Sequence, residues 1–115
     1  MMHKSTISVD VILDENKVPE NITWRASDST ADRAQKAKAM MLAFWDDADK
    51  SAMRIDLWTK EMMVDEMADF FYQVIFSMAD SFQRATQQKN LSDDMKNFAK
   101  EFYQKFRASQ VAANP

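Results

Sequence analysis

The fold is decided by one stretch, RIDLWTKEMMVDEM at residues 54–67, where a strand pattern gives way to a helix pattern. Residues 54–57 alternate between polar and apolar side chains, which is typical of a strand. From about Met63 onward the apolar side chains recur with a period near 3.6, which is typical of an amphipathic helix. The stretch therefore predicts a joint between a sheet and a helix with almost no loop.

The residues before this joint predict three further strands. Residues 6–13 alternate cleanly, residues 22–26 resume the alternation after a polar turn that contains Pro19, and residues 36–45 form a long third strand that is apolar on both sides. An acidic turn at residues 46–51 leads into the fourth strand, at residues 53–58. We expect the core to combine the even-numbered side chains of strand three with the odd-numbered ones of strands one and four.

The residues after the joint predict two helices. The first carries a broad apolar stripe, which Ile75 and Ala79 widen and whose main residues are Met63, Met67, Phe70, Phe71, Val74, Met78, Phe82 and Ala85. Ser92, followed by Asp93 and Asp94, has the sequence of an N-cap for the second helix. The second helix repeats Met95, Phe98, Ala99, Phe102, Tyr103 and Phe106 at helical spacing.

This order predicts an α+β fold of type ββββαα: a four-stranded antiparallel sheet followed by two long C-terminal helices packed on one face. The 115 residues fit a single domain, 1–115, with the sheet at about 5–58 and the helices at about 63–86 and 92–109. Because the chain has no glycine, its turns must use other residues. The same fact removes glycine-rich phosphate-binding loops from consideration.

Charge and composition narrow the classes of function. Fifteen Lys and Arg against 18 Asp and Glu leave a net charge of −3, which argues against a nucleic acid partner. The chain has no cysteine, and its start leads into a strand without an apolar signal segment. We therefore expect a cytoplasmic protein that does not insert into membranes.

The sequence contains no recognisable catalytic or metal-binding constellation. His3 is the single histidine, and it lies in a terminal segment expected to be disordered. With no cysteine and no second histidine, neither a usual zinc site nor a Ser-His-Asp triad is expected within one chain. Asp46, Asp47 and Asp49 lack the glycine and terminal glutamate of an EF-hand loop and are better explained as a turn. We expect no enzyme activity, no metal and no cofactor.

The strongest functional candidate is a protein interface. No cluster of Lys and Arg interleaves with Trp24, Trp45 and Trp58, as a single-strand nucleic acid platform would require, so packing or a protein contact is the better explanation for them. The face of strands three and four that the helices would leave uncovered carries apolar side chains that need a partner. Its candidate interface residues are Met41, Trp45, Arg54, Asp56 and Trp58. The partner is a second copy, giving a homo-oligomer, or else residues 27–35 fold over this face within one chain.

Two blocks of the sequence carry a family resemblance. VILDENKVPENITW at residues 11–24 and the opening stretch at residues 54–67, in this order, resemble the gliding-motility GldC family. The resemblance implies a soluble, non-enzymatic accessory factor associated with the gliding machinery. The architecture alone also resembles SecB export chaperones, and this implies the alternative of a holdase that binds unfolded chains on apolar surfaces.

Overall fold

The computed structural model describes residues 2–113 and confirms the α+β class. Its elements are β1 Ile7–Leu13, β2 Pro19–Ala26, β3 Gln35–Ala37, β4 Ala39–Trp45, β5 Ala52–Trp58, α1 Val64–Thr86 and α2 Lys89–Ala113. The chain divides between Met62 and Met63 into a strand unit and a helix unit. The assignment of residues 1–115 to a single domain stays a prediction.

The strands form two sheets, so the expected single four-stranded sheet is wrong in this detail. One sheet has the order β1-β2-β3, and the other is the antiparallel pair β4-β5. The predicted third strand, residues 36–45, is divided at Lys38 because its two parts pair with different neighbours. The part before Lys38 pairs with β2, and the part after it pairs with β5.

The three-stranded sheet has Ile22 at its centre. Ile22 lies opposite Val11 on one side and Ala37 on the other, and none of its surface is exposed. It is the largest fully buried apolar side chain among the described residues. Burial of branched aliphatic side chains is the main source of stability in a sheet of this size.

The turn between β1 and β2 is organised by the carboxylate of Asp14. Its Oδ1 atom accepts the backbone N–H groups of Asn16 at 2.8 Å and Val18 at 3.0 Å, while Oδ2 is paired with the ammonium group of Lys60. The contact with Lys60 is the main reason why the pKa of Asp14 lies below its usual value, and the hydrogen bond from the Val18 N–H is the second. Asp14 thus ties this turn to the segment that follows β5.

We expect Asp14→Asn to lower the midpoint of unfolding at pH 7. The folded-state pKa of Asp14 lies below the unfolded-state value of about 3.9, so its contribution is complete above that value and is lost as pH falls through the folded-state pKa. The difference between the two proteins should therefore shrink below about pH 4. Denaturant titrations between pH 3 and pH 7 measure it. Asp10→Asn on β1 is the control, and an equal loss in both variants would contradict the role given to Asp14.

Left-handed backbone positions are filled by residues other than glycine, as the composition requires. Lys17, Asp28, Lys50 and Gln87 all have φ between 52° and 63°. Gln87 ends α1, where its backbone N–H donates to the carbonyl oxygen of Gln83 at 2.8 Å. Since only Gln87 and Gln88 separate the two helices, this left-handed residue turns the chain from α1 into α2.

The second helix begins before the residue predicted to cap it. It starts at Lys89, and Ser92 lies inside the helix with none of its surface exposed. The Ser92 hydroxyl donates to the carbonyl oxygen of Ala79 in α1 at 2.7 Å. The prediction that Ser92 is an N-cap is therefore wrong, because its hydroxyl is used to join the helices.

The seam between the helices is built from small and aromatic residues. Ala79 and Ala99 are fully buried, and Ala68 is 5% exposed. The rings of Tyr72 and Tyr103 meet edge to face with centroids 4.9 Å apart. By contrast, Met63, Phe71 and Met78 of the predicted stripe are exposed and lie outside the seam.

Candidate protein-interaction site

The register of β4 and β5 brings the five predicted interface residues onto one face. Ala39 lies opposite Trp58, Met41 opposite Asp56, Ala43 opposite Arg54, and Trp45 opposite Ala52. Residues directly opposite each other point to the same side of a sheet. We call this side the tryptophan face, formed by Ala39, Met41, Ala43, Trp45, Ala52, Arg54, Asp56 and Trp58.

The two tryptophans of this face are open to solvent. Trp45 is 71% exposed and Trp58 is 56% exposed. Between them, Nη2 of Arg54 donates to Oδ1 of Asp56 at 3.0 Å, and both side chains are exposed. The face therefore presents aromatic surface at its ends and one charge of each sign in the middle.

The three tryptophans of the chain do not form a common platform. Trp45 and Trp58 lie at opposite ends of the β4-β5 pair, about 20 Å apart along the strands at about 3.4 Å per residue. Trp24 belongs to β2 in the other sheet, opposite Val9 and Gln35. This arrangement does not place the tryptophan rings next to each other, as the stacking of successive nucleic acid bases would require.

The opposite face of the same sheet is apolar throughout. Its pairs are Met40 with Leu57, Leu42 with Ile55, and Phe44 with Met53. The pairing agrees with the alternation read from the sequence, but the expected burial does not hold for Phe44, Met53 and Ile55, which are all at least 50% exposed. Both faces of this two-stranded sheet thus carry exposed apolar side chains.

Residues 27–35, the segment proposed as an alternative cover for the face, lead from β2 to the start of β3 and make hydrogen bonds at the ends of β1 and β2. The N–H of Ser27 donates to the carbonyl oxygen of Thr6 at 2.9 Å, and the N–H of Ala26 donates to that of Ala31 at 2.8 Å. His3 Nε2 and Ser5 Oγ both contact Oδ2 of Asp28, at 2.9 Å and 2.6 Å. Because the carboxylate lies between the imidazole and the hydroxyl, this geometry does not set a base against a nucleophile.

The acidic turn after β4 has the hydrogen bonds of a turn. Oδ2 of Asp46 accepts the N–H of Asp49 at 2.6 Å, and the carbonyl oxygen of Asp46 accepts the N–H of Lys50 at 3.1 Å. Within residues 2–113, no group of three or more His, Cys, Asp or Glu side chains is placed to hold a metal ion.

One polar site in the helix unit was not anticipated from the sequence. A cavity of about 280 Å³ is lined by residues that include Asp69, Tyr103 and Arg107. A hydrogen bond to Asp69 is the main cause of a raised pKa at Tyr103, whose hydroxyl therefore stays protonated. The carboxylate uses this hydroxyl as a donor, so the contact joins α1 to α2. The sequence had indicated Tyr103 only as part of the apolar stripe.

A comparison with protein families finds one described as "Gliding motility-associated protein GldC-like", which matches residues 19–108. The matched range contains the whole tryptophan face. No curated protein and no solved structure matches the chain. Among the described residues, neither helix has the length and apolarity needed to cross a membrane.

Proposed function

The chain belongs to the GldC-like family of gliding motility-associated proteins, and we propose that it is a non-enzymatic, cytoplasmic accessory factor of the gliding machinery. Its proposed activity is to bind other protein chains through the tryptophan face. Family membership supports the association with gliding. The binding role is supported by the side chains that β4 and β5 present.

The exposure of Trp45 and Trp58 is the observation that carries the binding role. Tryptophan combines a large apolar area with little side-chain entropy, and it is enriched among residues that dominate binding energy. Two rings that are more than half exposed on one face would be costly to leave in water. A protein partner that covers them regains this free energy.

The charges between the tryptophans favour a specific partner over a general apolar one. Arg54 and Asp56 are both exposed, lie two residues apart on the same face of β5 and contact each other. Interfaces use such groups to fix register, because a like charge placed opposite either of them is unfavourable. A partner for this face should therefore carry complementary charges between two apolar or small positions.

The test replaces Trp45 and Trp58 together by alanine in cells whose single copy of the gene carries the change. We expect gliding speed and colony spreading to fall to the level of the gene deletion, while the amount of protein stays normal. Ile7→Ala is the matched control, because Ile7 is a strand residue outside the face with 74% exposure. Normal motility with the double alanine variant at normal abundance would contradict the proposed site.

A holdase activity like that of SecB is the second candidate function. It is favoured by exposed apolar side chains on both faces of the β4-β5 sheet, with Phe44, Ile55 and Trp45 as examples. A holdase should suppress the aggregation of an unrelated unfolded protein at near-equal molar ratio. An accessory factor with a defined partner should leave that aggregation unchanged.

A further inference from the structure

The outer edge of β5 has backbone groups available for another strand. In the described chain β5 pairs with β4 alone, and the two form a sheet of only two strands. A two-stranded sheet is marginally stable in water by itself, and an open strand edge is a template for further pairing. Alternate residues of β5 direct their backbone N–H and C=O groups toward β4 or away from it. This hydrogen-bonding phase determines which residues offer that template.

The ends of the β4-β5 ladder reveal this phase. The N–H of Thr59 donates to the carbonyl oxygen of Lys38, and the N–H of Asp46 donates to that of Ser51, both at 2.8 Å. Hydrogen-bonded and non-hydrogen-bonded pairs alternate along an antiparallel ladder. Residues 53, 55 and 57 therefore bond toward β4, and the N–H and C=O groups of residues 52, 54, 56 and 58 point away from it.

This phase restricts how β5 can pair with a second copy of itself. In an antiparallel pairing about a two-fold axis, outward groups must meet outward groups, so the axis must pass through a residue and not between two. An axis at residue 54 would set Arg54 against Arg54, and an axis at residue 56 would set Asp56 against Asp56. An axis at Ile55 sets Arg54 opposite Asp56 twice and keeps the whole strand, Ala52–Trp58, in register.

We propose that this protein forms a homodimer in which β5 pairs with β5 of a second copy about a two-fold axis at Ile55, giving a four-stranded intermolecular sheet. The charge pattern of the edge carries the inference, since each copy supplies one member of each of the two ion pairs. Like charges opposite each other destabilise a sheet, whereas opposite charges stabilise it.

The side chains fit this register on both faces. On the apolar face, Ile55 meets its own copy, and Met53 meets Leu57. On the tryptophan face, Trp58 meets Ala52 of the second copy and already lies opposite Ala39 of its own chain. The largest side chain of β5 thus has a small neighbour on each side, which leaves space for the indole ring.

The free edge of β4 does not offer the same discrimination. Its residues, Ala39–Trp45, include no charged side chain, so no ion pair would select a register there. A contact between β4 of one copy and β5 of the next would be heterologous, and such contacts lead to rings or filaments. Pairing of β5 with itself closes after two copies.

Two charge variants test the pairing. Arg54→Asp makes both charges on the edge acidic, and Asp56→Arg makes both basic. We expect the dimer of each variant alone to have a dissociation constant roughly tenfold or more above that of the unaltered protein. The effect is large because the changed contact occurs twice in the dimer. Mixing the two variants should restore the dimer as a heterodimer, since an all-acidic edge then faces an all-basic one. Light scattering and native mass spectrometry measure both results.

The mixture separates the proposed contact from the ion pair within one strand. Arg54 and Asp56 also contact each other in the same chain, and each variant removes that contact. Mixing cannot restore an interaction within one chain. Recovery of the dimer in the mixture therefore requires that the charges meet across copies.

A cysteine placed at the axis tests the register. The natural chain has no cysteine, so Ile55→Cys supplies one thiol that faces its own copy across a non-hydrogen-bonded pair. Mild oxidation should convert most of this variant to a covalent dimer. Met53→Cys is the control, because it faces Leu57 of the second copy and starts from similar exposure, 56% against 50%.

The inference rests on the proposed protein-binding role and names a second copy as one partner, but it can fail separately. A monomer at tens of micromolar, or equal crosslinking of the two cysteine variants, would overturn β5 pairing. Either result would leave the motility test of Trp45 and Trp58 unaffected. Normal motility of the double alanine variant, together with an intact β5 dimer, would instead overturn the proposed role and retain the pairing.

Discussion

Replacement of Ile22 by alanine is expected to lower the free energy of unfolding by about 3 kcal/mol, within the usual range for truncating a buried isoleucine. Ile22 is fully buried between Val11 and Ala37. The change removes three methyl or methylene groups and leaves a cavity that flanking strands can fill only in part. Ala37 offers little side chain to move into the space. Urea titration monitored by circular dichroism measures the loss.

Ile12→Ala provides the matched control, because Ile12 lies in the neighbouring strand β1 with 56% of its surface exposed. The same atoms are removed there, but more than half of the side chain was already in water. We expect a loss well under half of that for Ile22. Similar losses at the two positions would show that the three-stranded sheet does not depend on Ile22 as its central side chain.

The strands were predictable because their alternation is local, whereas their pairing was not. The change from period 2 to period 3.6 near residue 60 predicted where the strands end and α1 begins. The break at Lys38 has no such signal, since residues 36–45 read as one continuous strand. Whether a long strand serves one sheet or two depends on its partners, and these are distant in sequence.

The tryptophan face could be predicted from alternation alone, but the edge of β5 could not. Arg54, Asp56 and Trp58 share a face because they are two residues apart, whatever their partner. Their outward backbone groups depend on which residues of β5 bond to β4, and this requires the register. The sequence thus contains both charges of the edge, but only the register shows that the backbone groups of these residues point away from β4.

The helix unit shows why large apolar residues are an incomplete guide to a core. Helical spacing places Met63, Phe71 and Met78 in the predicted apolar stripe, yet all three are exposed. The seam combines small residues, which allow two helices to approach closely, with the contact between the rings of Tyr72 and Tyr103. Alanine carries little weight in an apolar pattern, so Ala79 only widens the predicted stripe and Ala68 is not part of it.

Replacement of Ala99 by leucine should therefore be among the most damaging changes in the helix unit. Ala99 is fully buried in a helix that contacts α1 through Ser92 and Tyr103. Three added carbon atoms have no space there, and overpacking of this kind costs about 1–3 kcal/mol. We expect a loss of about 2 kcal/mol in the free energy of unfolding. The Ser92 hydrogen bond to Ala79 should weaken as the helices separate.

Ala108→Leu makes the same change on an exposed position of the same helix. Since leucine is nearly as good a helix former as alanine, this variant should stay within about 0.5 kcal/mol of the unaltered protein. Urea titration compares the two, and hydrogen exchange at the amides of the buried residues Ala79 and Ala99 reports on opening of the seam. A stable Ala99→Leu protein with unchanged exchange at these amides would mean that α1 and α2 are not held by close approach at Ala99. The stability of the hairpin would then come from other contacts between the helices, which include the rings of Tyr72 and Tyr103, the hydrogen bond of Tyr103 to Asp69 and the ion pair of Lys96 with Asp80.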